Sequence, residues 1–231
     1  IKPHLITNGG RIIAIQIENE YDHLIEYGEE TITKEDAINY FLFLKEAMEE
    51  LGIDIPKFAN EAAFLRGRDI IDTRTYYPNI PGLWMNEYDL FEGKIIESRR
   101  SQSTCPVMIL ELQAGWFAQI GVPIYEPDLK VVEGVSKSVL IHGASILNYY
   151  MMVGGTAFPF MGARGDIVFL GGLGNITSYD FGGAPIREWG ELHKDKYYWI
   201  KGFIRFAKEF SHIILNGDDK SYVRLTSGGE D

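Results

Sequence analysis

The sequence predicts an α/β chain built on a parallel sheet with helical crossovers, and two observations carry that prediction. Nearly continuous apolar runs of strand length recur at 12–17, 106–112 and 145–153, the pattern of strands buried on both faces. Amphipathic stretches at helical spacing lie between them, and such alternation means parallel strands joined by crossover helices. The same order fits five β/α units of a (β/α)8 barrel or an open doubly wound sheet. Periodicity alone does not separate the two.

Residues 1–9 read as the end of a preceding connection, and Gly9-Gly10 turns into the first strand. That strand holds Ile12, Ile13, Ala14, Ile15 and Ile17 and runs out into Glu18-Asn19-Glu20-Tyr21. Thr33 is placed to cap a helix, with Glu35 and Asp36 in its first turn. Ala37, Phe41, Leu44, Met48 and Leu51 form the apolar face of that helix, and Gly52 can end it. A second strand covers 53–60, with Pro56 obscuring its start. Residues 61–90 mix charges with Tyr76, Tyr77, Trp84 and Tyr88, and read as a short helix, a weak strand near 82–85 and a loop. A helix follows over 90–103, although Gly93 is a poor helix residue.

The run 106–112 carries Glu111 near its end. Asp128 can cap a helix with Leu129, Val132, Val135, Val139 and Leu140 at helical spacing, stopping short of Gly143. The strand 145–153 comes next. A Gly-rich stretch over 154–184 is too aromatic for a linker, and loops of that length in a compact domain are usually functional. The last helix spans 188–210, with Trp199, Phe203, Phe206 and Phe210 on one stripe. Residues 1–210 therefore read as one unit and 211–231 as a tail.

Composition narrows the function. The net charge of −11 argues against a nucleic-acid partner, which needs a basic surface. No apolar run reaches the roughly 18 residues of a membrane span, so no membrane partner is expected. The single cysteine, Cys105, excludes an intrachain disulfide and tilts localisation towards a reducing, cytoplasmic compartment. The five histidines contain no i, i+4 pair, and one cysteine makes no zinc pattern. Gly171-Gly172-Leu173-Gly174 matches neither a phosphate loop nor a dinucleotide fingerprint, so neither metal nor cofactor is expected.

What remains is a pair of carboxylates. Glu20 and Glu111 each stand at or near the end of an apolar strand, where a carboxylate is costly unless paired, hydrogen-bonded or used. Glycoside hydrolysis needs such a pair, one carboxylic acid to protonate the leaving oxygen and one carboxylate as nucleophile or base. Positions 20 and 111 lie 91 apart, room for three β/α units at about 30 residues each. The two glutamates would then face one another from strands n and n+3 of a barrel. Tyr21, Trp116, Phe117, Tyr149, Tyr150, Tyr179 and Phe181 are the nearby aromatics. Any of them could stack on a sugar face, and for any single one core packing is the simpler role.

Residues 9–21 (Gly-Gly-Arg-Ile-Ile-Ala-Ile-Gln-Ile-Glu-Asn-Glu-Tyr) resemble the acid/base segment of glycoside hydrolase family 35, the β-galactosidases. That segment normally reads Gly-Gly-Pro, two aliphatics, two variable residues, then Gln-x-Glu-Asn-Glu-Tyr. Three more blocks agree in order. Residues 111–117 resemble the nucleophile segment, 150–156 the strand-eight segment ending in Gly-Gly-Thr, and 177–181 the Thr-Ser-Tyr-Asp-Tyr block, followed here by Ala184-Pro185.

The resemblance implies a (β/α)8 TIM barrel of which this chain holds strands 4 to 8, the earlier strands being supplied by the rest of the parent chain and β-rich domains following it. It implies a retaining, exo-acting β-galactosidase, with Glu20 as general acid/base at the end of strand four and Glu111 as nucleophile at the end of strand seven. Asn19 would hydrogen-bond the sugar 2-hydroxyl, and Tyr150 and Trp116 would line the sugar pocket. Glu18 is open between a site residue and a structural partner, and homo-oligomerisation is left open. Arg11, Gln113, Ala157 and Phe181 depart from the family's usual proline, aromatic, asparagine and tyrosine. They bear on which terminal sugar is taken, a β-galactoside or another β-glycoside such as a β-glucosaminide. A non-catalytic sugar-binding or assembly fragment is the reading from outside enzymology.

Overall fold

The computed structural model describes residues 1–26, 32–77, 88–116, 118–119, 126–155, 176–178 and 183–216. Its centre is a sheet of five parallel strands: β1 (Ile15–Glu18), β2 (Lys57–Asn60), β3 (Ile70–Tyr76), β4 (Val107–Gln113) and β6 (Ala144–Tyr150), paired in that order. A two-stranded antiparallel ribbon, β5 (Ala118–Gln119) with β7 (Ile176–Ser178), lies outside it. The helices are α1 (Asp22–Glu26), α2 (Lys34–Glu50), α3 (Tyr88–Ser101), α4 (Leu129–Ile141), α5 (Lys194–Glu209) and α6 (Ser211–Ile214). Among the described residues no helix is long and apolar enough to cross a membrane.

The caps fall where the sequence places them. Thr33 accepts from the Asp36 backbone N–H at 3.1 Å, and the Asp36 carboxylate accepts in return from the Thr33 N–H. This reciprocal box satisfies two of the donors that a helix start leaves orphaned. Asp128 caps α4 through the Lys130 N–H at 3.0 Å. Val132, Val135 and Val139 of α4 are buried with Ile95 of α3, Ile200 of α5 and the sheet residues Val107, Ile109 and Leu112 in the larger core cluster. Phe41 of α2 anchors the smaller cluster against Ile17, Ala59 and Ile70.

Several elements differ from expectation, among them the second strand, which begins at Lys57 rather than 53. The third strand is Ile70–Tyr76, not a weak strand at 82–85, which lies outside the described residues. Asp72 and Arg74 break its apolar run, yet both are buried because they pair with each other. The first strand begins at Ile15, and Ile13 is exposed. Leu51 at the end of α2 is 62 % exposed rather than on the buried face. The last helix starts at Lys194, because Ile186 bridges both Val153 and Leu192 and Gly190 turns the chain with a φ of 85°. The tail opens with α6, and residues 217–231 lie outside the described residues.

Because the five strands are parallel, all their carboxyl ends meet at one edge of the sheet. Asn19 and Glu20, Asn60 and Glu61, Tyr77, Glu111 to Trp116, and Tyr150 are gathered there.

Candidate functional site

Glu111 lies in β4 opposite Thr75 of β3 and is partly buried. Among the described residues, each of its carboxyl oxygens has one donor. The Tyr77 hydroxyl donates to Oε2 at 2.8 Å, and the Asn60 amide donates to Oε1 at 3.1 Å. Burial raises the Glu111 proton affinity, and the Tyr77 and Asn60 hydrogen bonds pull it back towards the carboxylate. Burial, reinforced by the Glu111 charge, holds the Tyr77 phenol firmly protonated and so a donor.

Glu20 follows β1 with a φ of 49°, in the left-handed region that few non-glycine residues take. Among the described residues none hydrogen-bonds its carboxyl. Burial and then the Glu111 charge push its pKa up to about 7, with His23 opposing and Asp22 and Glu61 adding to the rise. Two neighbouring carboxyls thus hold protons differently, one given donors and the other given none by the described residues, which is the arrangement that separates an acid from a carboxylate.

Asn19 precedes Glu20 and is linked to Glu111 through Asn60, and its amide orientation is determined by its neighbours. Its Oδ1 accepts from Gln16 Nε2 at 3.0 Å and from Asn60 Nδ2 at 2.8 Å. Asn60 is oriented in turn, because its Oδ1 accepts from the Thr73 hydroxyl at 2.7 Å. Both donors on Asn19 Oδ1 leave its Nδ2 to point elsewhere, as a donor.

The aromatics divide into two sets. Tyr77, which donates to Glu111, meets Trp116 edge-on at 5.8 Å and Tyr150 at 6.3 Å. The other two described aromatics leave the site. Tyr21 stacks on Tyr40 at 5.2 Å and meets Phe41 edge-on, both on α2. The Tyr149 hydroxyl bonds Ser136 of α4 at 2.8 Å. Phe117, Tyr179, Phe181 and Ala157 lie outside the described residues. Glu18 is a structural partner, since it accepts from the Asn19 N–H and from the Tyr40 hydroxyl, both at 2.9 Å. Gln113 is fully buried and faces away from solvent.

Trp116 is held from behind. A Cβ on Gly115 would meet Ala184 N at 3.2 Å and Gly183 C at 3.3 Å, so the two backbone segments approach more closely than a side chain at 115 allows. Buried Lys196 donates to the Gly183 carbonyl at 3.0 Å and secures that contact. Burial drops the Lys196 pKa to about 8.

Asn60 and Tyr77 are the site residues that the sequence reading missed. Asn60 had a signal: Asn60-Glu61 repeats Asn19-Glu20 at the end of the neighbouring strand, and Glu61 shares the φ of 49° seen at Glu20. Among the described residues no group of three or more histidine, cysteine, aspartate or glutamate side chains is placed to hold a metal ion.

Parallel strands wrapped by helices, with two carboxyls and an asparagine gathered at their carboxyl ends, define part of an α/β barrel of the glycosidase kind. The family model for glycosyl hydrolases family 35 matches residues 1–207, and the chain belongs to that family, whose fold is the TIM barrel. It is similar to the β-galactosidase of Felis catus, 30% identical over 207 residues that are 89% of this chain and 28% of the relative. The β-galactosidase of Homo sapiens is 28% identical over 208 residues, with the same shares covered. A probable β-galactosidase C of Aspergillus niger is 26% identical over 254 residues, 98% of this chain and 23% of the relative. The chain thus spans about a quarter of the length of these relatives.

Proposed function

We propose that the protein carrying this chain is a retaining, exo-acting β-galactosidase that removes terminal non-reducing β-galactosyl residues by double displacement. In the first step the Glu111 carboxylate attacks the anomeric carbon, the glycosidic bond breaks, and Glu20 gives its proton to the departing oxygen. In the second step Glu20, now a carboxylate, takes a proton from water as that water attacks the anomeric carbon, and Glu111 leaves as a carboxylate. Asn19, its oxygen already occupied, offers Nδ2 to the sugar 2-hydroxyl. Trp116 and Tyr150 line the pocket around the ring. The observation that carries the reading is the unequal pair: Glu20 without a donor among the described residues and held up to about 7, Glu111 with a donor on each oxygen. The names of the relatives supply galactose as the sugar.

The test is to incubate the full-length protein with 2-deoxy-2-fluoro-β-galactosyl fluoride, digest it, and find the labelled peptide by mass spectrometry. The expected label is on Glu111. No label, together with turnover of a different aryl β-glycoside, moves the specificity to another terminal sugar. No label and no turnover of any β-glycoside sinks the proposal and leaves a sugar-binding or assembly role.

A further inference from the structure

β3 carries charge through the middle of a buried strand. Arg74 is 5 % exposed and Asp72 2 %. Arg74 Nη1 reaches Glu61 Oε2 at 2.8 Å, Nη2 reaches Asp72 Oδ2 at 3.1 Å, and Nε donates to Ser98 Oγ at 2.8 Å. Asp72 also accepts from the Ala62 N–H at 2.9 Å and from Arg66 Nε at 2.8 Å, and Arg66 goes on to Glu97 at 2.6 Å. The result is a ladder of alternating charge from Glu61 out to the surface of α3. A buried ladder of this kind adds little net stability over an apolar packing of the same volume, so its value lies elsewhere.

That value is legible at Glu61. It closes an Asn-Glu pair like that of Asn19-Glu20, with a left-handed backbone that a non-glycine residue keeps only where its surroundings over-determine it. Its Oε1 accepts from the Thr75 N–H at 2.9 Å while Arg74 holds Oε2. The residue before it, Asn60, bonds both Glu111 and Asn19. We infer that Arg74 is a positioning residue for the site: its guanidinium, bridging Glu61 and Asp72, holds the left-handed turn at Glu61 and so aims the Asn60 amide at Glu111 and Asn19.

This rests on the reading of Glu111 as the nucleophile. Electrostatics gives it a second signature. Among the described residues, the charged groups facing Glu61 include Arg74 from β3, Lys94 from α3, and the carboxyls of Asp22, Glu20, Asp72 and Glu111. Arg74→Lys keeps one charge but not the fork, and a single ammonium cannot hold Glu61 and Asp72 in the same planar geometry. Glu61→Gln keeps the volume and an acceptor for Thr75 but removes a negative charge that disfavours ionisation of Glu20 and Glu111.

The experiment compares full-length wild type, Arg74→Lys and Glu61→Gln. It measures kcat and KM on an aryl β-galactoside across pH, melting temperature, and the crystal structure of each variant. Arg74→Lys is expected to lose about tenfold to a hundredfold in kcat/KM, with Asn60 displaced from Glu111 in the crystal. Glu61→Gln is expected to move both limbs of the pH profile to lower pH. A lower melting temperature in both variants, with wild-type kcat/KM, pH limbs and Asn60 position, overturns the inference and leaves the ladder structural. The crystal structures read Asn60 without substrate. An inactive wild type would therefore count against the glycosidase reading, while the place of Asn60 in Arg74→Lys still decides this one.

Discussion

Replacing Tyr77 by Phe removes one hydroxyl and keeps the ring between Trp116 and Tyr150. That hydroxyl donates to Glu111 Oε2 at 2.8 Å. A hydrogen bond to a charged group contributes about 1.5–3 kcal/mol, equivalent to roughly 10- to 150-fold at 1.36 kcal/mol per tenfold. The sign differs between the two steps. During attack the Glu111 charge is consumed, so a lost donor raises nucleophilicity and offsets part of the damage. During release Glu111 regains its charge, and the lost donor acts in full against its departure. Tyr77→Phe is therefore expected to lower kcat on a dinitrophenyl β-galactoside by roughly 10- to 150-fold, with KM falling alongside as glycosyl-enzyme accumulates, and with kcat/KM changing far less. The same loss raises the Glu111 proton affinity, since the bond lowers it in the wild type. The acid limb of kcat/KM then moves to higher pH. Steady-state kinetics with a pre-steady-state burst measures all three quantities. Equal falls in kcat and kcat/KM at constant KM would refute the reasoning, because the hydroxyl would then serve attack as much as release.

Two further outcomes follow from the same geometry. Glu20 must be protonated to act as acid, and with a pKa of about 7 its contribution to kcat/KM is present below that pH and lost above it. Glu20→Gln is expected to abolish this basic limb, to cost about 10²–10⁴-fold on a substrate with a poor leaving group, and to leave glycosylation by a dinitrophenyl substrate nearly intact. A matched loss on both substrates would contradict the assignment. Gly115→Ala drives a Cβ against the Ala184 and Gly183 backbone, which Lys196 holds in place. It is expected to lower stability by about 1–3 kcal/mol and to raise KM severalfold through displacement of Trp116. Wild-type KM with reduced stability would detach Trp116 from the sugar pocket.

Much of this was legible because apolar pattern and position coincide. The runs around Ile17, Ile109 and Leu147 gave strands in their right order, and Thr33 and Asp128 marked helix starts that the structure retains. Glu20 and Glu111 were visible as carboxylates at the ends of such runs. β3 was hidden for the complementary reason. Its Asp72, Thr73, Arg74 and Thr75 look solvent-exposed until Arg66, Glu61 and Ser98, each distant in sequence or on another element, are brought in to pair them. Tyr77 carries no local mark at all. It acquires its role only when β3 is set beside β4. Tyr21 and Tyr149 show the converse. Each is next to a site residue in sequence, yet strand alternation sends Tyr149, and the turn after β1 sends Tyr21, to a helix instead.

The paired Asn-Glu dipeptides have an evolutionary consequence. Glu20 and Glu61 share their preceding residue and their backbone hand, and stand at the ends of neighbouring strands. They differ in whether a guanidinium from a third strand reaches them. On the proposed roles, one arginine thus separates a proton donor from a strut. Loss of Arg74 would take the guanidinium from Glu61 and leave Asp72 with Arg66, so the two dipeptides do not trade roles by drift at position 74 alone.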